Sequence, residues 1–338
     1  MNILVVGLFM DDSFGSHIYE TLIEMGHKTS RFSVSPNTYI YRNKFDYFTK
    51  KIIRKLHNLF SDFEFYRFIY FKNLYKMIKS IDLIIVTHDF LHPIEVEKIK
   101  KTNVTIKVVL WFPDAISMIG KQYFLVAKYD KLFFKDKFIV DKIKKYTNIE
   151  AHYLPECFNP NNIIDEFPKI QDIEVSIIGN FHTWRVASLE VLQNYNIQFF
   201  GVKPPLWLKN SWMNKIPNNY PVYNQFKSEI VLRSKININN LHLAEINGAN
   251  ARLFEICGSG GFQICSYSEV VNELYLEDNE IILYRDKNEL IEKVNYYLCN
   301  PMERNRIALN AKKRSIQEHT YKHRLEELLI YTGYKSNS

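Results

Sequence analysis

Residues 245–265 read EINGANARLFEICGSGGFQIC, and they hold the densest cluster of glycines in the chain. Loops that bind phosphate place glycines ahead of a helix, so that the N–H groups of its first turn face the anion. The order is reversed in this stretch, because the helical pattern GANARLFEIC comes first and GSGG follows it. Glycines after a helix usually end it, and the next run, FQICS, is typical of a strand. The stretch therefore predicts a helix-to-strand turn in an α/β domain.

The start of this helix, near Gly248, is the more informative end. It follows the strand pattern KININNL, and parallel α/β sheets bind ligands at the carboxyl ends of their strands. Arg252 and Glu255 are three residues apart and share one helix face. An arginine there suits an anion, and a glutamate one turn later suits the two hydroxyls of a ribose. The alternative is a surface Arg252–Glu255 pair, which stabilises little, and the spacing leaves both interpretations open.

The rest of the chain alternates apolar runs with helical patterns. In the first half the strand patterns are NILVVGLF, HKTSRFSV, IDLIIVTHD, VTIKVVLWF, DKLFFK and AHYLPE. The segment CFNPNNIIDEFPKIQD is typical of a linker. After it the strand patterns are IEVSIIGN, IQFFGV, SKININNL, GFQICSY and EIILYRD. Nearly continuous apolar strands are typical of parallel sheets that are covered on both faces.

This alternation predicts an α/β fold of two doubly wound, Rossmann-like domains. We expect the first domain at residues 1–158 and the second at residues 170–318. The amphipathic pattern YKHRLEELLIYTG lies in residues 319–338, and we expect it to form a C-terminal helix that returns to the first domain. His319 lies at this crossing, so a structural role is expected for it.

The composition is that of a soluble globular protein, with 46% apolar and 24% charged residues. No stretch is long and apolar enough to span a bilayer. The apolar start MNILVVGLF lacks the basic residues and the cleavage site of a signal peptide. The four cysteines show neither a CxxC pair nor a metal-ligand spacing. These features predict a reducing, cytoplasmic setting.

The formal net charge of +7 is concentrated in one segment. Residues 42–80 contain ten Lys or Arg and three Asp or Glu, together with eleven Phe or Tyr. Within them, KKIIRKLHNLF places apolar side chains on one helical face and basic side chains on the other. We expect the apolar face to pack on its own domain, and the alternative is a peripheral contact with an anionic membrane surface or acceptor. No nucleic-acid motif accompanies the segment, so nucleic acid is disfavoured as a partner.

Several segments of the second half resemble one family of glycosyltransferases. RLFEICGSGGFQIC resembles the R-x-F-E-x-x-x-x-G-G-F segment of the CgeB-like, spore-maturation type of family. VSIIGNFHTWRVASLEVL is similar to the opening of that family's second domain, and RSKININN is similar to its next conserved strand. The run YYLCNPMERNRIALNAKKRSIQEHTYKHRLEELL resembles its closing helices. The resemblance covers about residues 129–329 and implies the two-domain GT-B architecture.

The resemblance implies that the second domain binds a nucleotide-diphosphate-sugar, which is a co-substrate and not a cofactor. Glu255 occupies the position of a glutamate that holds the donor ribose in related GT-B enzymes. Many retaining relatives carry a second glutamate eight residues earlier, where this chain has Asn247, followed by Gly248. We expect both residues at the donor, and the difference leaves open whether the reaction retains or inverts the anomeric configuration.

The resemblance implies that basic side chains hold the diphosphate. GT-B enzymes generally bind it with basic side chains and helix N-termini, where other enzymes use a metal ion. Arg185 lies beyond a strand that ends in Gly179 and Asn180, and it matches a position that often faces the diphosphate. Arg252 is a second candidate, and Lys235, within a strand pattern, is a weaker one. The sequence offers no convincing cluster of metal ligands, so we expect no metal site.

If the reaction inverts, a base that takes the proton from the acceptor hydroxyl is expected at the carboxyl end of a strand in the first domain. The first strand is followed by Asp11, Asp12 and His17, the third by His88, and the fourth by Asp114. Each of these residues also has a structural alternative, such as a helix cap or a loop-forming aspartate. We rank Asp114 and His88 first as catalytic residues and place the other three on the acceptor side.

The sequence thus predicts a metal-independent glycosyltransferase that moves a sugar from a nucleotide donor to a hydroxyl of a glycan, lipid-linked or protein acceptor. We expect it in the cytoplasm, with the inner face of the membrane as a further location. Two alternatives remain open: a non-catalytic GT-B protein that binds a glycan or coat component, and a GT-B enzyme that acts on DNA. A dinucleotide-dependent oxidoreductase is disfavoured, because VVGLFMDDSFG lacks the G-x-G-x-x-G spacing.

Overall fold

The computed structural model describes residues 1–35, 44–60, 63–164 and 170–334, and their strands form two six-stranded sheets. The strands of the first sheet are β1 (Asn2–Gly7), β2 (Lys28–Ser33), β3 (Leu83–Thr87), β4 (Lys107–Phe112), β5 (Lys131–Phe134) and β6 (Ala151–Tyr153). They pair in parallel in the order β2-β1-β3-β4-β5-β6. Every residue of β3 is buried, as its continuous apolar sequence predicts.

Helices cover both faces of this sheet. They are α1 (Phe14–Glu24), α2 (Lys44–Phe60), α3 (Glu64–Tyr70), α4 (Lys72–Met77), α5 (Pro93–Thr102) and α6 (Lys137–Tyr146). Side chains of β1 alternate between the faces, so Leu4 and Val6 enter one buried cluster while Ile3 and Val5 enter another. The first cluster contains residues of α4, α5 and α6, and the second contains residues of α1.

The second sheet repeats the arrangement. Its strands are β7 (Ile173–Ile178), β8 (Ile197–Phe200), β9 (Asn218–Asn219), β10 (Ser234–Asn239), β11 (Gln263–Ser266) and β12 (Ile282–Tyr284). They pair in parallel in the order β12-β11-β10-β7-β8-β9. Its helices are α7 (Thr183–Ser188), α8 (Asn224–Arg233), α9 (Ala251–Ser259), α10 (Glu269–Leu274), α11 (Lys287–Cys299) and α12 (Pro301–Glu318).

The last helix, α13 (Tyr321–Tyr331), returns to the first domain. Tyr321, Leu325 and Leu328 lie in one buried cluster with Ile3 and Val5 of β1. Burial of this face fixes the crossover, because apolar side chains gain about 25 cal/mol for each Å² that they remove from water. The predicted fold of two Rossmann-like domains with a C-terminal crossover helix is confirmed.

The eleven strand patterns all form strands, while three elements of the second domain were not predicted. They are β9, which is only two residues long, and the helices α8 and α10. The sequence of α8, NQFKSEIVLR, gathers its apolar residues at one end, so no helical period is visible. The run RVASLEVLQNY does not form one continuous helix, because α7 ends at Ser188 and a separate 3-10 turn follows at Glu190–Leu192.

The glycine-rich stretch forms the predicted helix-to-strand turn. Gly260 follows α9 with a φ of 87°, and its N–H donates to the carbonyl of Cys257. Only glycine adopts this left-handed backbone without a steric cost. The strand β11 begins at Gln263, three residues later, so the cluster ends one element and starts the next.

The prediction that α2 packs its apolar face on its own domain is wrong. Its apolar stripe faces solvent, with Phe45, Phe48, Ile52, Leu56 and Leu59 exposed by 79, 63, 50, 48 and 64%. The opposite side turns inward, because the half-buried ring of His57 there contacts two tyrosines of α3, Tyr66 and Tyr70. Within the described part of the chain, no helix has the length and apolar character to cross a membrane.

Candidate active site

A cleft of about 620 Å³ lies between the two domains, at the carboxyl ends of strands from both sheets. This volume falls in the range of small-molecule sites. Charged side chains from both domains line it. From the first domain these are Asp12, Asp114, Lys135 and Glu156, and from the second they are Arg185, Lys227, Glu245, Arg252 and Glu255.

Two arginines converge at the end of β7. Nη1 of Arg252 donates to the carbonyl of Ile178 at 2.5 Å, and Nη1 of Arg185 donates to the carbonyl of Asn180. Gly179 lies between these carbonyls with a φ of 126°. A Cβ at Gly179 would come within 2.0 Å of Nη1 of Arg252 and 3.3 Å of Nη1 of Arg185. The absence of a side chain at this glycine thus lets both guanidinium groups approach the backbone.

Neither arginine has a carboxylate partner among the described residues, although Arg185 is buried and Arg252 is half-buried. Arg185 is 1% exposed, and its Nε donates to Asn240. Burial, together with the charge of Arg252, holds the pKa of Arg185 well below its usual range. Guanidinium stays protonated in proteins, so the shift reflects an unfavourable environment for two like charges. An anion bound between them would offset that cost.

Burial beside the two arginines keeps a neighbouring histidine neutral. Burial and the charge of Arg185 lower the pKa of His182 to about 3, with smaller contributions from His242 and Arg252. The ring of His182 is therefore neutral, and its Nδ1 accepts a hydrogen bond from the backbone N–H of Arg185. This end of the cleft is suited to an anionic group.

Glu255 lies one turn along α9 from Arg252, and it pairs with a different residue. Its Oε1 accepts from Nζ of Lys227 at 2.7 Å. Its Oε2 has no hydrogen-bond partner within the described ranges, and the side chain is 24% exposed. The surface Arg252–Glu255 pair that we considered as an alternative is not formed. One carboxylate oxygen is thus open to the cleft.

Lys227 continues the chain of charges into the first domain. Its Nζ also lies 2.7 Å from Oδ2 of Asp12, and Oδ1 of Asp12 lies 3.1 Å from Nε2 of His17. Burial alone would lower the pKa of Lys227, but Glu255 and Asp12 raise it above its usual value. Burial raises the pKa of Asp12, but the contacts with His17 and Lys227 lower it on balance. We predicted Asp12 and His17 on the acceptor side, whereas they connect Lys227 and Glu255 to the first domain.

The two leading candidates for the base form one pair. Nε2 of His88 lies 3.1 Å from Oδ2 of Asp114. His88 has a φ of 70°, and its Nδ1 is buried without a partner in the described part of the structure. Such a left-handed backbone is costly for a residue other than glycine and is concentrated at functional sites. Burial raises the pKa of Asp114, but the hydrogen bond and charge of His88, with the charge of Lys135, lower it overall.

A second cavity, of about 490 Å³, opens in the first domain beside this pair. Asp114 lines both this cavity and the interdomain cleft, while His88 lines only the cavity. Polar and aromatic side chains supply much of the wall, among them His57, Tyr66, Arg67, Tyr70, Asp89 and Tyr123. Asp114 therefore stands where the two spaces meet.

A buried ion triad was not predicted. Nζ of Lys135 lies 3.0 Å from Oε1 of Glu156 and 2.8 Å from Oε1 of Glu245. Burial would lower the pKa of Lys135, but the two carboxylates raise it. Glu156 shares this lysine with Glu245, so burial dominates and raises the pKa of Glu156 to about 7. Lys135 directly follows β5 and Glu156 comes shortly after β6, so the strand-end rule that selected Asp114 could also have found them.

Three residues that we predicted at the donor do not line the interdomain cleft. Asn247 and Gly248 join the domains, because Asp136 accepts from the backbone N–H of Asn247, and a Cβ at Gly248 would come within 3.0 Å of the Lys135 carbonyl. Lys235 is at the amino end of β10, away from the cleft, and lies 3.8 Å from Glu174. Of the acceptor-side candidates, Asp11 is exposed in the loop after β1 and lines neither cavity.

The described residues contain no group of three or more His, Cys, Asp or Glu side chains that could hold a metal ion. The donor-side residues that the structure does bring together are Gly179, Asn180, Arg185, Arg252 and Glu255. They combine a cationic end with an open carboxylate, which suits a ligand that has both a diphosphate and a pair of hydroxyls.

Solved structures similar to this chain span nearly its whole length. A glycosyltransferase from Rickettsia africae has a TM-score of 0.67 at 13% identity, over 100% of this chain and 99% of that one. Sucrose-phosphate synthase from Thermosynechococcus elongatus has a TM-score of 0.66 at 11% identity, over 98% of each chain. HepE from Anabaena, in complex with UDP, has a TM-score of 0.63 at 10% identity, over 98% of this chain and 100% of that one. At such identities these likenesses show the fold, which is GT-B.

The family of this chain follows from a match to a family model, not from a match to a curated protein. A comparison with curated proteins finds no match. Residues 161–330, half of the chain, match the model of the glycosyl transferase-like family. The matched part carries Gly179, Arg185, Lys227, Arg252 and Glu255, which form the second-domain side of the cleft. The chain therefore belongs to the glycosyl transferase-like family and has the GT-B fold.

Proposed function

We propose that this protein transfers a sugar from a nucleoside-diphosphate donor to a hydroxyl acceptor in the interdomain cleft. The observation that carries the proposal is the pair of arginines, Arg185 and Arg252, whose guanidinium groups meet at the backbone of Gly179. A diphosphate supplies the negative charge that this pair lacks. Its charge grows as the bond to the sugar breaks, so fixed cations stabilise the transition state more than the ground state.

Glu255 is the proposed contact of the donor ribose. Its open Oε2 can accept hydrogen bonds from the ribose hydroxyls while Lys227 holds Oε1 in place. Lys227 is itself held by Asp12 of the first domain. Donor binding would therefore depend on both domains. The site would be complete only when Asp12 of the first domain contacts Lys227 of the second.

Asp114 is the proposed base. It lines both the cleft and the first-domain cavity, and Nε2–H of His88 would orient one of its oxygens. Nδ1 of His88 is buried, so His88 acts as a positioning residue in this scheme. The acceptor oxygen attacks the anomeric carbon, the bond from that carbon to the diphosphate oxygen breaks, and the hydroxyl proton passes to Asp114. A single displacement of this kind inverts the anomeric configuration.

We also propose that the reaction needs no metal ion. Arg185 and Arg252 supply two fixed positive charges at the diphosphate, which supports a reaction that needs no divalent metal. The segment RLFEICGSGGF supports a place within the CgeB-like branch of the family.

We propose a glycan, a protein or a lipid-linked sugar as the acceptor. The enzyme would work in the cytoplasm and at the inner face of the membrane.

The test is release of nucleoside diphosphate from a panel of nucleotide sugars, with and without EDTA. We expect at least one donor to be turned over in EDTA, and Arg252→Gln to lower that rate while the variant stays folded. Release that requires added metal would contradict metal independence. No release or binding of any nucleotide would favour a non-catalytic glycan-binding protein. NMR of the product sugar would test inversion, since a retained anomer contradicts the proposed role of Asp114.

A further inference from the structure

The first domain exposes an apolar surface that is unusual for a soluble protein. We call it the α2–α3 face, and it consists of Phe45, Phe48, Ile52, Leu56 and Leu59 on α2, with Phe63, Phe65, Phe68 and Ile69 at α3. All nine side chains are about half exposed or more. Large side chains exposed singly are ordinary, but five along one side of one helix mark an interaction site, and four more are exposed at the next helix.

The spacing on α2 shows that this face is a single stripe. Phe45, Phe48, Ile52, Leu56 and Leu59 recur at intervals of three or four residues, so they lie along one side of the helix. Among the described residues, the domain does not pack on this stripe, because the side of α2 that carries His57 is the one that turns to the protein. The stripe is thus available to a partner along the length of the helix.

Basic side chains border the stripe. Lys51 and Lys55 are exposed on α2, and the whole segment of residues 42–80 has seven more basic than acidic residues. A helix with an apolar face beside lysines lies in the interface of an anionic bilayer, where apolar rings enter the acyl boundary and lysines meet lipid headgroups. A second copy of this chain fits less well, because two such basic segments would repel each other.

We propose that the α2–α3 face docks on an anionic lipid bilayer. The inward side of the same helices lines the first-domain cavity through His57, Tyr66, Arg67 and Tyr70. Docking therefore brings the cavity, and the base Asp114 that lines it, to the membrane surface. Resting on the proposed function, this favours an acceptor that is itself anchored in the membrane.

The test is co-sedimentation with vesicles of phosphatidylglycerol and phosphatidylcholine, compared with pure phosphatidylcholine. We expect binding to the anionic vesicles that weakens as salt is raised. The triple substitution Phe48→Ala, Ile52→Ala and Leu56→Ala should weaken it by about tenfold or more. Replacement of Lys51 and Lys55 by Gln should weaken it by about fivefold for each lysine.

The control changes apolar residues that are even more exposed but lie elsewhere on the protein. Val104, Leu206 and Met302 are 87, 94 and 84% exposed, and their triple substitution to alanine should leave vesicle binding unchanged. Failure of the wild type to bind anionic vesicles would overturn the proposal, as would equal binding by the α2 variant. If the wild type dimerises and does not bind vesicles, and if the α2 variant is monomeric, the face would instead bind a second copy of the chain.

Nucleotide affinity separates this proposal from the proposed function. None of the substituted residues lines the interdomain cleft, so every variant should bind nucleoside diphosphate as the wild type does. Vesicle binding without nucleotide binding would sustain the membrane proposal and contradict the donor site. Nucleotide binding without vesicle binding would support the donor site and contradict the membrane proposal.

Discussion

Arg185 and Arg252 donate to carbonyls on either side of Gly179, so two positive charges meet at one strand end. They come from different elements, because Arg185 lies on α7 and Arg252 lies on α9. No carboxylate within the described residues forms an ion pair with either of them. Their convergence is the feature of the fold that most directly calls for an anionic ligand.

Substitution of Gly179 by alanine should remove this convergence. The new Cβ would lie 2.0 Å from Nη1 of Arg252, so the guanidinium must move and nucleotide affinity should fall. The left-handed backbone adds about 1–2 kcal/mol of strain. Gly26→Ala is the matched control, because Gly26 also has a positive φ but has no atom within 4 Å of its Cβ position. Gly26→Ala should lower the stability of the protein without lowering its nucleotide affinity. Equal nucleotide affinity in the two variants would contradict the proposed contact between Gly179 and Arg252.

Glu255→Gln should weaken binding of the best nucleoside diphosphate by about 1.5–3 kcal/mol, the usual value of a hydrogen bond to a charged group. Calorimetry with the ribose and 2′-deoxyribose forms gives a sharper result. The wild type should prefer the ribose form, and the variant should lose most of that preference. Glu174→Gln is the control, since Glu174 pairs with Lys235 outside the cleft. A preference that survives in Glu255→Gln would place the ribose elsewhere.

Asp114→Asn should lower kcat by about 10²–10⁴-fold, the usual contribution of general acid–base catalysis. The KM for the donor should change little, because Asp114 belongs to the first domain and is not proposed to bind the nucleotide. His88→Gln should have a smaller effect on kcat. Asp11→Asn, at an exposed carboxylate of the same domain, should retain full activity. Unchanged kcat in Asp114→Asn would exclude this residue as the base.

Glu156 should make stability depend on pH. Its pKa is raised from an ordinary value of 4.5 to about 7 by burial, so the folded state binds the proton more tightly than the unfolded state. The resulting stability is present in full below pH 4.5 and is lost as the pH rises through 7, by roughly 3 kcal/mol. Urea unfolding of Glu156→Gln should show a flatter pH profile than the wild type. Parallel profiles would contradict the raised pKa, and Glu150→Gln, at an exposed ion pair, is the control.

The sequence predicted those parts of the site that depend on local pattern. Arg252 and Glu255 could be placed together because they are one helical turn apart, and Arg185 because it follows a strand end. The pairing of His88 with Asp114 could also have been foreseen. The strands β3 and β4 are neighbours in which Thr87 is in register with Trp111, so the residues that follow them emerge side by side.

Other contacts could not be read from local pattern. Lys227 lies on α8, whose apolar residues show no helical period, and its partner Asp12 is in the other domain. Asn247 and Gly248 face the first domain because of how the domains meet, which no local motif records. In α2 the period revealed an apolar face, but the period of a helix does not determine what covers that face.

The central claim is that Arg185 and Arg252 hold a diphosphate, and calorimetry tests it most directly. The wild type should be titrated with nucleoside diphosphates of each base and with the matching nucleosides, and Arg252→Gln with the same ligands. We predict that one diphosphate binds at least about tenfold more tightly than its nucleoside, and that the variant loses this difference. Equal affinity of the wild type for diphosphate and nucleoside, or an undiminished difference in Arg252→Gln, would contradict the account.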